Sequence, residues 1–364
     1  MTIRQYGWNE YWINQWNGMA GQAADRESLT PGRVVGDFGS KYRILTEDGE
    51  QWGELSGRLR HSLEASSGEY PAIGDWTVVK KAEGGHVMIH GVLPRRSVIS
   101  RKAAGTQPKE QIVAANVDTL FLVSALNDDY NLRRMERYLI MAWNSGASPV
   151  ILLTKADLCD DPGAKIAEME MAAPGVPVHA VSAHTDCGRE ALLPYIGEGR
   201  TVALTGSSGC GKSTMVNWLC GADLQLTQEV REDDSRGRHT TTRRELFLLP
   251  AGGVIVDTPG MRELQLWEDE GGLDLAFADI AQLAARCRYA DCRHEREEGC
   301  AVLEAVDSGE LEEKRLQSYH KTQRELVYQT AKEAKSKRKG GAGSGQKAAS
   351  SRSRKYGWRR DLED

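Results

Sequence analysis

The amino-acid sequence predicts a multi-domain protein that combines an all-β barrel, an α/β domain and a small α-helical metal-binding domain. Residues 31–95 contain short β-prone runs broken by Gly and Pro turns, and a five-stranded OB barrel matches that length. Residues 111–265 alternate apolar runs of strand length with helical patterns, which is typical of a largely parallel, doubly wound sheet. One such helix, over 131–143 and ending before Gly146, is expected to turn its Arg and Glu residues to solvent. Residues 266–335 have helical patterning and hold three cysteines and one histidine close together, which favours a metal site.

The size and composition limit the classes of protein that this chain can represent. With 364 residues it is longer than a single ordinary domain, so several compact units are expected. Its formal net charge of -5 argues against a protein whose whole surface coats nucleic acid, although a local basic patch remains compatible. No run of about 20 apolar residues occurs, and the first residues lack the basic and apolar regions of a signal peptide. We therefore expect a cytoplasmic protein without membrane contact, in which the seven cysteines stay reduced.

Three further segments flank or connect these domains. The N-terminal extension, residues 1–30, carries tryptophans at four-residue spacing: Trp8, Trp12 and Trp16. This spacing favours one face of a short helix that packs on the next domain. Residues 96–110 are predicted to form a basic linker, for which a solvated connector is the simplest interpretation. Residues 336–364 are rich in Lys, Arg, Gly and Ser, which favours a flexible basic tail.

The segment from Gly206 to Ser213 has the glycine-rich pattern that binds phosphate groups. It follows the apolar strand TVALT and opens the helical run KSTMVNWLC, which is the context that this pattern requires. Its glycines let backbone N–H groups turn toward the phosphates, Lys212 neutralises their charge and Ser213 can ligate Mg²⁺. The predicted phosphate-binding residues are Gly206, Ser207, Ser208, Gly209, Cys210, Gly211, Lys212, Ser213 and Thr214.

Another apolar strand ends at Asp257-Thr258-Pro259-Gly260. From this position an aspartate can reach the metal, and the N–H of Gly260 can contact the γ-phosphate. Asp257 and Ser213 are therefore predicted magnesium ligands. Thr241 is the candidate for a third ligand, and the neighbouring threonines at 240 and 242 remain open alternatives.

Two more strand ends carry residues suited to a guanine base. In Thr154-Lys155-Ala156-Asp157 the carboxylate of Asp157 can accept both N–H groups on the guanine edge, while the stem of Lys155 covers the ring. Adenine presents an acceptor at one of these positions, so Asp157 would reject it by on the order of three to five powers of ten. After the strand VPVHAV, Ser182 and Ala183 are the small residues expected beside the guanine carbonyl. Read alone, either motif also fits an ordinary turn.

The base-reading elements precede the phosphate-binding elements in the chain, which reverses the usual GTPase order and indicates a circular permutation. With this order and with stretches such as VLPRRSVISRKAAG, NLRRMERYL, GSSGCGKST and GRHTTTRRELFLLP, the chain resembles the RsgA (YjeQ) family of circularly permuted ribosome-biogenesis GTPases. The resemblance implies an OB barrel, a permuted G domain and a zinc module. It also implies GTP turnover that the small (30S) ribosomal subunit stimulates during its late maturation.

Several positions depart from the common GTPase pattern. Thr154 replaces the usual Asn, so a contact with guanine N7 is made by a shorter hydroxyl or lost. Met261 stands where many GTPases have a glutamine that orients water, so intrinsic hydrolysis is expected to be slow. His239 is the candidate replacement, and with Lys212 a candidate catalytic residue, although a solvated loop histidine is the alternative. Gly209 stands where an asparagine would indicate potassium activation, so Mg²⁺ alone is expected to accompany GTP.

A C-x4-C-x-H-x5-C arrangement lies in the polar C-terminal region and consists of Cys287, Cys292, His294 and Cys300. Three thiolates and one imidazole can close a tetrahedral shell without water, which predicts one structural zinc ion. A catalytic zinc would need an open coordination position, and a disulfide is not expected in a reducing compartment. The remaining cysteines are expected to be unligated thiols: Cys159, Cys187, Cys210 and Cys220.

Together these features predict a monomeric GTP hydrolase that binds the small ribosomal subunit and its rRNA in the GTP state and leaves after hydrolysis. The expected RNA contacts are the barrel and the basic segments, through Lys80, Lys81, Arg95, Arg96 and the tail. One alternative is a GTP-gated RNA-binding module in which hydrolysis is incidental. Another is an ATP-driven P-loop enzyme, which Asp157 disfavours.

Overall fold

A computed structural model of the chain describes residues 2–21, 26–66, 69–82, 84–102, 110–127, 129–221, 244–257, 271–328 and 330–331. For residues 101, 102, 110, 244 and 257 it describes the backbone alone. Within these ranges, no helix combines the length and the apolar character needed to cross a membrane. The described chain contains a closed β-barrel, an open mixed sheet with helices packed on it, and a C-terminal group of helices.

The barrel is built from five strands in the N-terminal part of the chain. They are β1 (Leu29–Asp37), β2 (Tyr42–Thr46), β3 (Gly49–Leu55), β4 (Trp76–Lys81) and β5 (Val87–Val92). The barrel closes because β1 pairs antiparallel with both β2 and β4, while β5 pairs parallel with β3 and antiparallel with β4. Its interior is filled by inward-facing side chains such as Ile44, Trp76 and Val79. The predicted five-stranded barrel is confirmed, with one unpredicted addition between β3 and β4, the helix α2 (Gly57–Ser66).

The N-terminal segment packs helix α1 (Glu10–Ala20) on the barrel. The helix begins after Asn9, whose side chain accepts a hydrogen bond from the N–H of Trp12 at 3.4 Å. Trp12 is buried, and its ring centroid lies 6.2 Å from that of Trp76 in the barrel. The prediction that the indoles pack on the next domain is confirmed. However, Trp8 precedes the helix instead of lying in it, and its ring centroid is 4.7 Å from that of Trp76.

Between the barrel and the open sheet the chain forms a two-stranded antiparallel pair, β6 (Val98–Lys102) and β7 (Glu110–Ala115). The range 96–110, expected to be a solvated linker, therefore contains a strand, and Ile99 within it is buried. Arg95 was expected to contact RNA, but its guanidinium lies 2.7 Å from the buried carboxylate of Asp75 and its side chain is 10 % exposed. That expectation is wrong for Arg95, because a strong ion pair already uses its charge.

The barrel continues into the open sheet, because β1 also pairs antiparallel with a strand far along the chain. The strands of the open sheet are β8 (Thr119–Ala125), β9 (Ser148–Thr154), β10 (Val178–Ala180), β11 (Thr201–Gly206), β12 (Arg244–Leu248) and β13 (Val254–Asp257). Their order is β10-β9-β8-β11-β13-β12, and every pair is parallel except β12 with β13. The predicted, largely parallel sheet is therefore confirmed.

Helices connect these strands and form the C-terminal part of the described chain. The connecting helices are α3 (Leu132–Ser145), α4 (Pro162–Ala172), α5 (Leu193–Ile196) and α6 (Lys212–Cys220). The C-terminal helices are α7 (Gly272–Ala276), α8 (Ala278–Ala284), α9 (Ala301–Ser308) and α10, which covers residues 313–328 and 330–331. Helix α3 starts after the N-cap Asn131 and ends at Gly146, whose φ of 78° is left-handed, so its predicted extent is confirmed.

The surface of α3 that was expected to face solvent carries a buried ion pair. Glu136 accepts hydrogen bonds from Arg315 at 2.8 Å and from the hydroxyl of Ser318, and both ends of the pair are buried. Arg315 also donates to Asp279 at 2.9 Å and to the carbonyl of Ala276 at 2.8 Å. The expectation of a solvent-facing Glu136 is wrong, because a polar helix face can also be the packing surface for another group of helices. These bonds hold α8 and α10 against α3.

Replacing Arg315 by Ala is expected to destabilise the fold by about 3–5 kcal/mol, because the Glu136 carboxylate would stay buried without its partner. Urea unfolding followed by circular dichroism measures this change. Arg286→Ala is the matched control, since Arg286 and Glu310 form an exposed pair at 3.9 Å. Removing an exposed pair of this kind should cost less than about 1 kcal/mol. Equal losses of stability in the two variants would contradict the structural role assigned to Arg315.

Candidate functional site

The ends of neighbouring parallel strands bring the predicted site elements to one edge of the sheet. Strand β8 lies between β9 and β11 and pairs with both in parallel, so the loops after β9 and β11 leave the same edge. Strand β13 is the other neighbour of β11, and its last residue, Asp257, reaches that edge as well. The predicted base loop at Thr154–Asp157 and the predicted phosphate loop at Gly206–Gly211 are therefore neighbours in space, although about 50 residues separate them in the chain.

The phosphate loop joins β11 to α6 with the backbone conformation that its glycines permit. Gly209 and Gly211 have φ angles of 77° and 92°, a region that residues with side chains rarely adopt. Lys212 folds its ammonium back over the loop, where it donates hydrogen bonds to the carbonyl of Gly206 at 2.8 Å and to that of Ser207. The loop is thus a compact turn at a helix N-terminus with a cation held above it, an arrangement suited to bind an anion.

A hydrogen bond ties the base loop to the phosphate loop. The hydroxyl of Thr154, at the end of β9, donates to the carbonyl of Cys210 at 2.6 Å, and Thr154 is 3 % exposed. The hydroxyl hydrogen is therefore used inside the protein and is not directed at a base. Threonine at this position, in place of the usual asparagine, therefore has a structural role, because its short side chain bonds the backbone of the phosphate loop.

The carboxylate of Asp157 is held in place by the second base-side loop. Ser182, buried at the end of the strand run VPVHAV, donates to Asp157 at 2.5 Å, and its own oxygen accepts from the N–H of Thr185 at 3.2 Å. The hydrogen bond from Ser182 lowers the pKa of Asp157, which keeps this exposed carboxylate ionised. Lys155 has a left-handed φ of 58°, and the N–H of Ala156 bonds to Val181 at 3.2 Å. The structure therefore brings the two predicted base-side motifs together and presents an acceptor at their surface.

Two residues beside the phosphate loop, Asp129 and Arg134, were not predicted from the sequence to lie there. The hydroxyl of Ser207 donates to Asp129, which also forms an ion pair with Arg134 in the first turn of α3. Partial burial raises the pKa of Asp129, but the hydrogen bonds from Ser207 and Arg134 outweigh it and leave the pKa below its usual value. The position of Asp129, just after β8 at the same sheet edge, is the signal that could have identified it.

The four predicted metal ligands form a compact cluster. Their donor atoms all lie within 4.8 Å of one another, and no other group of this kind occurs in the described parts of the chain. His294 Nδ1 is 3.4 Å from the sulfur of Cys300 and 3.6 Å from that of Cys287, and the two sulfurs are 3.9 Å apart. Tetrahedral zinc with usual bond lengths places sulfur about 3.6 Å from nitrogen and about 3.8 Å from another sulfur. The donor set and its spacing therefore fit zinc.

The shape of the cluster depends on its loop and on α10. His294 has a left-handed φ of 60°, and its carbonyl lies 3.2 Å from Nε2 of His320 in α10. Burial lowers the pKa of His294, which favours the neutral imidazole that can ligate a metal. The cluster thus connects the loop before α9 to the same helix that carries Arg315.

Some predicted site residues lie outside the described part of the chain. They are His239, Thr240, Thr241, Thr242, Gly260 and Met261, together with the basic tail at 336–364. For Asp257 the backbone position is described, at the end of β13, and the side chain is not. The roles assigned to these residues therefore stay predictions.

The fold and the site define a class of protein. A glycine-rich phosphate loop opens a helix after a central parallel strand, and the base-side loops follow β9 and β10, two strands that precede it in the chain. This is a P-loop domain in circularly permuted order.

Comparison with known sequences identifies the family. A family model described as RsgA GTPase matches residues 92–267. The chain is 46 % identical over 298 residues to Small ribosomal subunit biogenesis GTPase RsgA 2 of Lactiplantibacillus plantarum, covering 82 % of this chain and 84 % of that protein. It is 44 % identical over 337 residues to Small ribosomal subunit biogenesis GTPase RsgA of Methanosarcina acetivorans, covering 90 % of this chain and 86 % of that protein. The chain belongs to the RsgA GTPase family.

Solved structures agree with this assignment. The crystal structure of YjeQ from Thermotoga maritima matches with a TM-score of 0.63 and 28 % identity, over 82 % of this chain and 99 % of that chain. The structure of YloQ, a circularly permuted GTPase, has the same fold, with a TM-score of 0.60 over 84 % of this chain and 98 % of that one, at 22 % identity. The permuted order predicted from the sequence is therefore confirmed.

Replacing Cys292 by Ser is expected to reduce the zinc content from about one ion per chain to well below half of that, and to lower the unfolding temperature, because the shell loses one of its thiolates. Mass spectrometry of the metal content and thermal unfolding measure the two effects. Cys187→Ser is the control, since Cys187 is an exposed thiol outside the cluster. Zinc that stays bound equally in both variants, or is absent from the unmodified protein, would contradict the assignment.

Proposed function

We propose that this chain hydrolyses GTP to GDP and phosphate and acts in the cytoplasm in the late maturation of the small (30S) ribosomal subunit. Its relatives carry the name small ribosomal subunit biogenesis GTPase. The observation that carries the proposal is the 2.6 Å hydrogen bond between Thr154 and Cys210, because it makes a base loop and a phosphate loop two sides of one pocket. A triphosphate on the glycine loop would extend its base toward Asp157.

The nucleotide-binding roles follow from the positions of these loops. The phosphates are bound by backbone N–H groups of Gly206 to Thr214 and by the ammonium of Lys212, which would exchange its loop carbonyls for phosphate oxygens. Asp157 accepts both N–H groups of the guanine edge, and Ser182 holds it in position. The hydroxyl of Thr154 bonds the phosphate loop at Cys210 instead of the guanine base. The remaining contacts are assigned to Lys155, Ala156, Ala183, Asp257 and Gly260.

The hydrolytic step requires water to attack the γ-phosphate in line with the leaving GDP. Ser213 and Asp257, with Thr241, are the side chains that would hold Mg²⁺, which would neutralise charge on the phosphate oxygens when bound. His239 is assigned to orient the attacking water, and Lys212 to stabilise charge that develops during bond breaking.

Replacing Asp157 by Asn is expected to weaken GTP binding by on the order of 100-fold or more, because the amide offers only one acceptor to the two guanine donors. The same amide provides one acceptor and one donor, which match the N–H and the adjacent carbonyl of xanthine. Xanthosine triphosphate should therefore bind the variant more tightly than it binds the unmodified protein. Calorimetric titration with each nucleotide measures both changes.

Ser182→Ala is the companion variant to Asp157→Asn. It removes the hydrogen bond that orients the carboxylate but keeps both acceptor oxygens, so a loss of GTP affinity of about tenfold is expected. Wild-type affinity for GTP in Asp157→Asn, with no gain for the xanthine nucleotide, would contradict the role of this carboxylate.

The C-terminal helices are connected to the neighbourhood of the phosphate loop through α3. Helix α3 carries Arg134, which contacts the phosphate-loop partner Asp129, and Glu136, which binds Arg315. In chain order, β13 is followed in the described residues by α7 and then by the metal cluster. We assign a structural role to zinc in this group of helices and propose that loss of the γ-phosphate shifts its position.

The proposed RNA contacts are basic residues on the barrel side. The side chains of Lys81 and Arg96 are 59 % and 51 % exposed; Lys81 pairs with the exposed Asp48, and Arg96 lies 3.8 Å from Asp118 and 5.2 Å from the ring centroid of Tyr11. Such pairs are weak, so an RNA phosphate can replace the acidic partner. Lys80 and the tail at 336–364 are further candidates. A monomer that binds RNA in the GTP state and leaves after hydrolysis is the mode of action that we propose.

A GTP-gated RNA-binding module without required hydrolysis is the second candidate function. The two differ in what releases the protein from the subunit. Lys212→Ala removes nucleotide binding and should lower kcat/KM for GTP by about 100-fold or more in either case. His239→Ala should keep GTP binding but trap the protein on the small subunit if hydrolysis drives release, and should leave release unchanged if it does not.

The test of the proposed function is GTP hydrolysis by the full chain with and without purified small ribosomal subunits. Slow hydrolysis alone and at least about tenfold faster hydrolysis with the subunits is the expected result, because Met261 cannot orient water by itself. Large ribosomal subunits are the control. Equal rates under all conditions, or faster hydrolysis of ATP than of GTP, would contradict the proposal.

A further inference from the structure

A polar cavity lies at the sheet edge opposite the nucleotide site. It has a volume of about 160 Å³ and lies where the N-terminal segment, the barrel and the open sheet meet. Its lining includes Thr201 and Ser148, the first residues of β11 and β9, whereas the phosphate and base loops follow the last residues of these strands. The cavity is therefore a separate compartment, and no role in the proposed GTPase site accounts for it.

The inner wall of the cavity carries a buried guanidinium. Arg33 is 1 % exposed and donates hydrogen bonds to the carbonyls of Gly74, at 3.3 Å, and Tyr6, and to the hydroxyl of Thr201 at 2.8 Å. All three acceptors are neutral, and a guanidinium has five N–H donors, so two remain without a partner among the described residues. Burial lowers the pKa of Arg33 to about 10, which leaves it charged at neutral pH.

This guanidinium has no carboxylate partner within ion-pair distance in the described chain. The ring of Trp76, whose centroid is 5.2 Å away, compensates part of its charge. The carboxylates of Asp118 and Asp75 stabilise the charge of Arg33 from beyond ion-pair distance, and Asp75 is already paired with Arg95. A buried cation without an anion in direct contact is unfavourable, and proteins normally pair such groups or place an anion beside them. The residue is nevertheless held at a point where three parts of the fold meet, beside an open space.

The other charges that line the cavity are mostly positive. Arg200 is exposed and Arg96 is 51 % exposed, so both place cationic groups near solvent. Asp118 is the one acid among the described lining residues, and its oxygens face the N–H of Thr201 at 2.8 Å and Arg96 at 3.8 Å. Three arginines against one aspartate leave the cavity with an excess of positive charge, which favours an anion.

We propose that this cavity binds a small oxyanion, inorganic phosphate or the phosphate group of a small molecule, between Arg33 and Arg200. The two N–H groups of Arg33 that remain unpaired, one on each terminal nitrogen, can donate to the oxygens of a small oxyanion. The volume exceeds the space of roughly ten waters, so it accommodates such a group together with part of the molecule that carries it. The enclosed position of Arg33 favours a small ligand over a phosphate within a polymer.

A bound oxyanion would stabilise the junction between the domains. Arg33 already contacts the N-terminal segment through Tyr6, the barrel through Gly74 and the open sheet through Thr201. A ligand on the free side of its guanidinium adds bonds at the same point. The unfolding temperature should therefore rise with the concentration of the anion in a saturable way.

The experiment titrates the full chain with inorganic phosphate in a calorimeter, with excess GDP present so that phosphate does not enter the phosphate loop. Chloride at the same ionic strength is the reference. Saturable binding of about one phosphate per chain, with a dissociation constant of about 1 mM or tighter, is the expected result. Arg200→Glu should weaken it by about tenfold or more, because a carboxylate replaces a cation near solvent. Arg58→Glu, the same charge change on the exposed face of α2, should not affect it.

Several outcomes would overturn the proposal. An unmodified protein that shows no saturable binding would mean that the cavity holds water only. Equal binding in the Arg200→Glu and Arg58→Glu variants would place the phosphate elsewhere, including on the phosphate loop if GDP fails to occupy it. A short RNA that binds in an Arg200-dependent way while phosphate does not would identify a polymer contact instead. Arg33→Lys keeps the positive charge but loses the planar guanidinium, so it should bind phosphate more weakly if the variant folds. If it does not fold, the Arg200→Glu variant alone tests the proposal.

Discussion

The parallel pairing of β8 with both β9 and β11 is the constraint on which the site depends. It places the ends of β9 and β11 two strands apart at one sheet edge, and the bond from the Thr154 hydroxyl to the Cys210 carbonyl then fixes the distance between their loops. Chain order is irrelevant to this arrangement, since a sheet edge collects loops from any strand that ends there. A permuted chain can therefore build the same kind of pocket as an unpermuted one, provided that the strands pair in the same order.

Permutation does change what the pocket is connected to. Among the described residues, β13 is the last strand of the sheet and precedes the C-terminal helices in chain order, and α3 contacts both the sheet and those helices. Its first turn reaches the phosphate loop through Arg134 and Asp129, and its next turn binds Arg315 through Glu136. Helix α3 therefore connects the partner of the phosphate loop with the C-terminal helices through one partly exposed ion pair and one buried ion pair.

Much of this organisation could be predicted from the sequence, and the failures have physical causes. The strand Thr201–Gly206 and the phosphate loop after it could be predicted. The apolar run, the glycine spacing and the start of a helix all indicate the same strand–loop–helix unit. The predictions for Glu136 and Arg95 were wrong because the local sequence only shows that a charged residue lies on the polar side of its own segment. It does not show that a segment elsewhere in the chain packs on that side and buries the charge in an ion pair. Asp129 was missed because its partner Ser207 lies 78 residues away, and such pairing has no local signature. The metal cluster was predictable because its ligands are near one another in the chain.

The central claim is that two non-consecutive segments of this chain form a single guanine-nucleotide pocket. Isothermal titration of the intact, unmodified protein with GDP, in the presence and absence of excess ATP, tests it most directly. One GDP per chain, with an affinity that ATP does not reduce, is the result that the structure predicts. No binding of GDP to the folded protein, or displacement of GDP by an equal concentration of ATP, would contradict it.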